Sequence, residues 1–147
     1  MKKYLNITAI SALVFSVNAF ANPVVELYKS PTCGCCSQWA ATMEKEGYQV
    51  NVHKQHNWDS VKAPFNMPKQ LSSCHTAIID GYMIEGHVPE AEVARLLKER
   101  PANISGIAVP GMPRYSPGMA RDGEAYKNFN VVAFDKNGKP SLYKKYD

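Results

Sequence analysis

The stretch Pro23-Val24-Val25-Glu26-Leu27-Tyr28-Lys29-Ser30-Pro31-Thr32-Cys33-Gly34-Cys35-Cys36 decides the fold. Its first six residues form a short run rich in β-formers, and Ser30-Pro31-Thr32 breaks that run. Three cysteines follow within four positions. From Cys36 onward, Trp39, Ala40 and Met43 continue the i, i+3, i+4, i+7 series of an amphipathic helix. Gly47 is a natural C-terminal stop, and Tyr48-Gln49-Val50-Asn51-Val52-His53 alternates as a second strand. A cysteine cluster therefore sits where a first strand turns into a first helix.

Working outward, residues 54–73 are polar and punctuated by proline, with one short helix expected over Asn57–Lys62. Thr76-Ala77-Ile78-Ile79 and Tyr82-Met83-Ile84-Glu85 flank Asp80-Gly81, a two-residue hairpin signal. Pro89 fits a first helical position, and Glu90 and Glu92 favour the positive end of the helix dipole. Val93, Leu96 and Leu97 supply that helix's apolar face, and Pro101 ends it. An irregular Pro/Gly-rich stretch spans Ala108–Met119. Phe129–Phe134 and Ser141–Tyr143 then flank Lys136-Asn137-Gly138 as a second hairpin. Strand, helix, strand, hairpin, helix is the order of a thioredoxin-like domain. The expected class is α/β: a mixed sheet flanked by helices, with a C-terminal β-hairpin extension. No linker divides residues 22–147, so one domain is expected.

Residues 1–21 carry a different signal. Met1-Lys2-Lys3 is a basic start, Leu5–Val17 a mostly apolar run, and Ala19-Phe20-Ala21 a small-x-small cleavage pattern. The apolar run is shorter than the roughly 20 residues that span a bilayer, so a cleaved signal peptide is expected rather than a membrane anchor. Cleavage after Ala21 leaves 15 basic against 13 acidic side chains, a formal charge of +2 in place of +4. The basic residues are dispersed along the chain, which argues against a nucleic-acid face. Export implies an oxidising compartment, where disulfides persist.

Two structural disulfides would be the plain reading of four cysteines in an exported chain. The spacing opposes it. A Cys35–Cys36 bond would join neighbouring residues whose α-carbons lie closer than disulfides prefer. Either other pairing puts two bridges on one turn of chain. Cys33 and Cys36 have CxxC spacing near a helix N-terminus, where unpaired N–H groups stabilise thiolate. Thiolate serves both disulfide exchange and metal ligation. Cys35 shifts the balance, because a third thiol competes in exchange whereas a soft-metal site gains from each added sulfur. Closely spaced sulfurs can also bridge ions, which leaves a multinuclear site open. Copper, chiefly Cu(I), and zinc both suit thiolates.

Ser73-Cys74-His75-Thr76-Ala77 precedes the third strand, where thioredoxin-like proteins place a cis-proline against the active cysteines. By that resemblance His75 takes the proline slot and Cys74 joins the other three sulfurs. The chain also resembles the CopG-like family of exported proteins with a CxCC motif. The resemblance runs through Tyr28–Cys36, Ser73–Ala77, Asp80–Pro89, Gly106–Pro113 and Ser116–Met119. It implies a thioredoxin-like fold, a periplasmic location and a cysteine-bridged, redox-active copper cluster in copper resistance, with Cu(II) as a second oxidation state; zinc is the alternative that thiolate softness allows.

Methionine is commonly a core gap-filler, which suits Met43 and Met83. In the aperiodic loop, Met112 and Met119 are candidate thioether ligands, with Met67 a weaker one. His75 and His87 are candidate imidazole ligands. His53 and His56 have the spacing of a metal pair but follow a strand and read as solvated. Trp39 is expected in the core and Trp58 over a loop. The leading expectation is a copper-binding protein using Cys33, Cys35, Cys36 and Cys74. Two alternatives stand beside it. One is a thiol-disulfide oxidoreductase with Cys33 as nucleophile and Cys36 as resolving thiol. The other is a copper chaperone delivering the ion to other periplasmic copper-handling proteins. No catalytic triad, carboxylate pair or phosphate-cradling motif supports a hydrolase or nucleotide-binding reading.

Overall fold

The computed structural model describes residues 23–147, so the signal peptide expected over residues 1–21 lies outside the described residues. Strand β1 (Val25–Lys29) alternates buried and half-buried residues and feeds helix α1 (Gly34–Lys45). The helix buries Cys36, Trp39, Ala40 and Met43, the face that its apolar spacing dictates. Strand β2 (Val50–Lys54) returns parallel to β1. A short α2 (Asp59–Lys62) and two 3-10 turns, Ala63–Phe65 and Lys69–Leu71, lead to β3 (His75–Ile79).

Strands β3 and β4 (Tyr82–Glu85) form the expected antiparallel hairpin around Asp80-Gly81, both with positive φ. Helix α3 (Glu90–Glu99) follows, and Pro89 caps it from extended backbone instead of occupying its first turn. Its C-terminal cap is Arg100 in the left-handed region, immediately before Pro101. Strand β5 (Ile104–Ala108) then pairs parallel with β4, and the hairpin β6 (Phe129–Asp135) and β7 (Pro140–Tyr146) completes the sheet. The seven strands run β2-β1-β3-β4-β5-β6-β7.

β5 departs from the sequence reading, which held no strand between Pro101 and the irregular segment. Gly106 interrupts the β-forming pattern, yet the sheet requires it: a Cβ there would stand 2.1 Å from the Met83 carbonyl oxygen and 2.7 Å from the Phe134 ring. Tertiary pairing overrides local propensity here. The C-terminal hairpin thereby extends the central sheet through β5.

The core lies on two faces. Trp39 and Met43 of α1 and Val93 and Leu96 of α3 pack on Val25, Leu27, Ala77, Ile79, Ile84 and Ile107. Each large apolar side chain buried there contributes roughly 1.5–3 kcal/mol. The opposite face holds Met83, Ala108 and Phe134 under Leu71, with Phe65 and Met67 packed against them. Met43 and Met83 are core residues, as expected, and Met67 joins the second cluster. No helix among the described residues is long and apolar enough to cross a membrane.

Candidate metal centre

The break Ser30-Pro31-Thr32 becomes a turn closed by the Cys33 amide donating to the Ser30 carbonyl at 3.2 Å. Cys33 is the N-cap of α1, so the cluster meets the helix's unpaired amides, as the sequence implied. Cys36 is buried one turn in, while Cys33 and Cys35 are half-buried. Cys33 and Cys36 are joined as a disulfide, with α-carbons 5.4 Å apart. Cys35 and Cys74 are free thiols. One CxxC disulfide beside two thiols differs from all three double-disulfide pairings and from an all-thiol cluster.

Residue 74 reaches the cluster through the strand registers. Lys29 pairs with His75 across β1 and β3, so the residue before His75 sits where β1 gives way to the cysteine turn. Cys74 Sγ lies 3.5 Å from Cys36 Sγ, and Cys33 Sγ lies 3.5 Å from Cys35 Sγ. All four sulfurs stand within 4.8 Å of one another.

His87 and His75 are brought in as well. His87 Nε2 lies 3.0 Å from Cys74 Sγ, while its Nδ1–H donates to the Pro117 carbonyl at 2.6 Å. The carbonyl thereby fixes the tautomer and turns the Nε2 lone pair toward the sulfur. His75 Nδ1 lies 3.6 Å from Cys74 Sγ, and its ring packs between Trp39 and His87. His75 Nε2 is buried without a hydrogen-bond partner. Burial holds both imidazoles below the ordinary histidine range, His75 down to about 3 with further lowering from His87 and Lys29. Burial, and then the neighbouring Cys35 sulfur, push the Cys74 thiol up to about 12. The rings are therefore neutral donors, and Cys74 keeps its proton near neutral pH unless a cation displaces it.

The two methionine candidates lie on a loop pinned to this centre. The Gly111 amide donates to the Ser72 carbonyl at 3.2 Å, and the Ser73 hydroxyl donates to the Gly111 carbonyl. Gly118 packs so tightly on α1 that a Cβ would meet the Cys35 carbonyl oxygen at 2.6 Å. Met119, next to it, is half-buried, whereas Met112 is 54% exposed. The four cysteines and two histidines converge; the methionine sulfurs are placed only by their loop. His53 is less solvated than expected, since it stacks on Tyr28 and sits 2.5 Å from Glu26, whereas His56 is exposed. Trp58 covers its loop, donating from Nε1 to Thr76 Oγ1 at 2.9 Å.

Three supporting residues escaped the sequence reading. Lys29 is buried at the end of β1, and the period-2 series Val25, Leu27, Lys29 marked it as inward-facing. Glu85 is buried and accepts from the Ser73 amide at 2.8 Å, bracing the residue before Cys74. Pro117 orients His87 from 30 residues away, which no local pattern announces. Four sulfurs and two neutral imidazoles, with no carboxylate among them, are donors for a soft or borderline-soft ion. A cavity of about 490 Å³ lies between α1 and residues 118–126, and no cysteine lines it.

Two solved structures share this arrangement of elements. Both are titled "Copper resistance protein copG", Form 1 and Form 2, and both are 35% identical to this chain. Form 1 superposes with a TM-score of 0.76 over 85% of this chain and 98% of its own; Form 2 gives 0.77 over 86% and 99%. The chain belongs to the CopG family. A family model described as "Protein of unknown function, DUF411" also matches residues 71–119, the segment holding Cys74, His75, His87 and the pinned loop. Comparison with curated proteins gives no match.

Proposed function

We propose that this CopG-family chain is a periplasmic copper-binding protein that serves copper resistance by sequestering copper or changing its oxidation state. The observation that carries the reading is the convergence of Cys33, Cys35, Cys36 and Cys74 within 4.8 Å. The family's solved members are titled copper resistance proteins, and thiolate sulfur prefers Cu(I) among common biological cations. In this reading the four sulfurs hold and bridge Cu(I), and His75, His87 and the Met112–Met119 loop complete the shell.

The disulfide adds a redox condition. Engaging all four sulfurs requires two electrons and two protons to open Cys33–Cys36. In the reverse direction, two Cu(II) ions can take one electron each from the Cys33/Cys36 dithiol. The products are two Cu(I), one disulfide and two protons, so the exchange balances without another oxidant. Anaerobic Cu(I) loading of the reduced chain tests the binding. Several equivalents of copper per chain are expected, and replacing all four cysteines with serine should abolish them. Unchanged stoichiometry would overturn the reading. Cell fractionation of the full chain tests its periplasmic location.

A thiol-disulfide oxidoreductase is the second reading, favoured by the disulfide at the helix N-terminus. It requires turnover on a disulfide substrate that Cys33→Ser abolishes and Cys35→Ser retains. Equal loss in both variants favours metal.

A further inference from the structure

Three side chains that carry a full charge are buried among the described residues, and two of them are answered by the protein. Glu85 accepts from Lys62, the Ser73 amide and Thr76, and Glu92 accepts from Arg95 and Tyr146. The third is Lys29. It is 2% exposed, yet its ammonium has no hydrogen bond or ion pair among the described residues. A cation withdrawn from water without a partner is one of the costlier arrangements a fold keeps. A methionine would fill the same space without that cost, so packing alone does not account for a lysine here.

Lys29 stands at the edge of the sulfur centre. It ends the inward series Val25, Leu27, Lys29, on the face of β1 that packs against Trp39 and Met43 of α1. Four residues later the chain presents Cys33, and across the β1–β3 ladder Lys29 pairs with His75. The His75 ring packs on Trp39, one turn along α1 from Cys36. Burial and then His87 hold that ring neutral, and the Lys29 ammonium is close enough to add to the effect. A disulfide carries no charge, and no carboxylate joins the four sulfurs or the two rings. In the oxidised chain the ammonium therefore has no anion to answer it. Reduction supplies one, because opening Cys33–Cys36 lets negative charge rest on sulfur. The free amides at the head of α1 favour that charge from the helix side, and Lys29 favours it from the sheet side.

We propose that Lys29 is the internal counter-charge of the reduced sulfur centre, a positioning residue that favours the opened Cys33–Cys36 pair over the disulfide. The ammonium is already out of water, so no solvent has to be stripped from it when the sulfurs open. A dithiol reductant gives two electrons and two protons and leaves as its own disulfide, which balances the step. The role rests on the redox condition of the function proposed above and not on copper itself. It also opposes two properties that usually move together. Replacing Lys29 by an apolar side chain should make the disulfide form no less stable while making it harder to reduce.

The test uses the full metal-free chain in anaerobic dithiothreitol buffers at one fixed pH, with thiols trapped by alkylation and counted by mass spectrometry. Lys29→Met keeps the aliphatic stem and removes the charge. Its equilibrium constant for opening should fall at least tenfold, about 30 mV for a two-electron couple, and the Tm of its oxidised form should not fall. Lys29→Arg keeps the charge and should stay within threefold of the parent constant. The parent labelled with nitrogen-15 in its lysines gives a reading without any variant: the Lys29 ammonium resonance should move on reduction more than that of any other lysine. An unchanged opening constant in Lys29→Met, an equal loss in Lys29→Arg, a lowered Tm of oxidised Lys29→Met, or a Lys29 resonance that ignores reduction would each overturn the proposal. If Lys29→Met shifts the opening as expected while the reduced parent takes no Cu(I), the copper reading fails and this role stands. If the parent takes Cu(I) while the opening constant ignores Lys29, this role alone fails.

Discussion

Replacing Glu85 tests how the fold holds the metal centre from behind. The carboxylate ends β4 on the face opposite α1, with only 1% of its side chain exposed. It accepts from Lys62 Nζ at 3.1 Å, the Ser73 amide at 2.8 Å and the Thr76 hydroxyl at 2.6 Å. One side chain thus ties α2, the segment carrying Cys74, and the β3–β4 hairpin together. Glu85→Ala strands three donors, one of them a Lys62 ammonium that is only 21% exposed. Removing one partner of a buried ion pair costs roughly 3–5 kcal/mol. For a domain of about 125 residues, a melting entropy near 2.1 cal/mol/K per residue gives about 0.26 kcal/mol per degree. The expected fall in Tm is therefore about 11–19 °C.

The measurement is thermal unfolding of the metal-free chain for Glu85→Ala, Lys62→Met and the Lys62→Met/Glu85→Ala pair. Lys62→Met leaves the carboxylate two donors and should cost less than Glu85→Ala. The double variant removes both charges, so a coupling of at least about 1 kcal/mol is expected between the sites. Alkylation of the Cys74 thiol should also quicken in Glu85→Ala, because the Ser73 amide loses its anchor. A Tm loss below about 4 °C for Glu85→Ala, roughly 1 kcal/mol on the same scale, would refute the reasoning.

Gly106→Ala should prevent soluble expression or lower Tm by more than 10 °C in circular-dichroism melts, because its Cβ would collide with the Met83 carbonyl oxygen across β4–β5. Gly118→Ala meets two penalties, a φ of +83° and backbone of Cys35 and Trp39 within 3 Å. The left-handed conformation alone costs about 1–2 kcal/mol, and displacing this loop should weaken Cu(I) binding at least tenfold in competition with a chelator. The metal-free chain should also lose stability on mild acidification. Burial holds His75 down to about 3 in the folded chain, against about 6.5 for an ordinary histidine, so the unfolded chain binds the extra proton first. Its contribution is complete above pH 6.5 and falls as pH drops toward 3. Between pH 7 and pH 5 the loss is about 2 kcal/mol, and His75→Gln should flatten that part of a denaturant-midpoint profile.

Elements with a strong local period were legible in the sequence. Trp39, Ala40 and Met43 announced α1, Asp80-Gly81 announced the β3–β4 hairpin, and both appear where expected. β5 was not legible, because Gly106 is chosen for backbone approach to Met83 and not for strand propensity. The sulfur cluster at 33–36 was obvious, and Cys74 followed once the fold was assigned. The Cys33–Cys36 bond could not be read from spacing, since CxxC serves exchange and ligation alike. The loop 110–119 has no period of its own. Its place depends on single contacts to Ser72, Ser73, His87 and α1 that only the folded chain displays.

One part of the centre was in the sequence without being read there. A two-residue turn fixes the register of its hairpin, and Asp80-Gly81 pairs Ile79 with Tyr82, Ala77 with Ile84 and Thr76 with Glu85. Carried two residues further, the same register sets Cys74 opposite His87, and the Gly86 amide donating to the His75 carbonyl at 2.9 Å shows the ladder continuing that way. The 3.0 Å contact between Cys74 Sγ and His87 Nε2 is its outcome. On the other edge of β3, the Lys29–His75 pair delivers Cys74 to the cysteine turn at the head of α1. A slip of one residue in either pairing would turn Cys74 to the opposite face. The tight turn and the β1–β3 register are therefore as much a part of the metal centre as its ligands, because together they bring one sulfur within reach of both the α1 cysteines and His87.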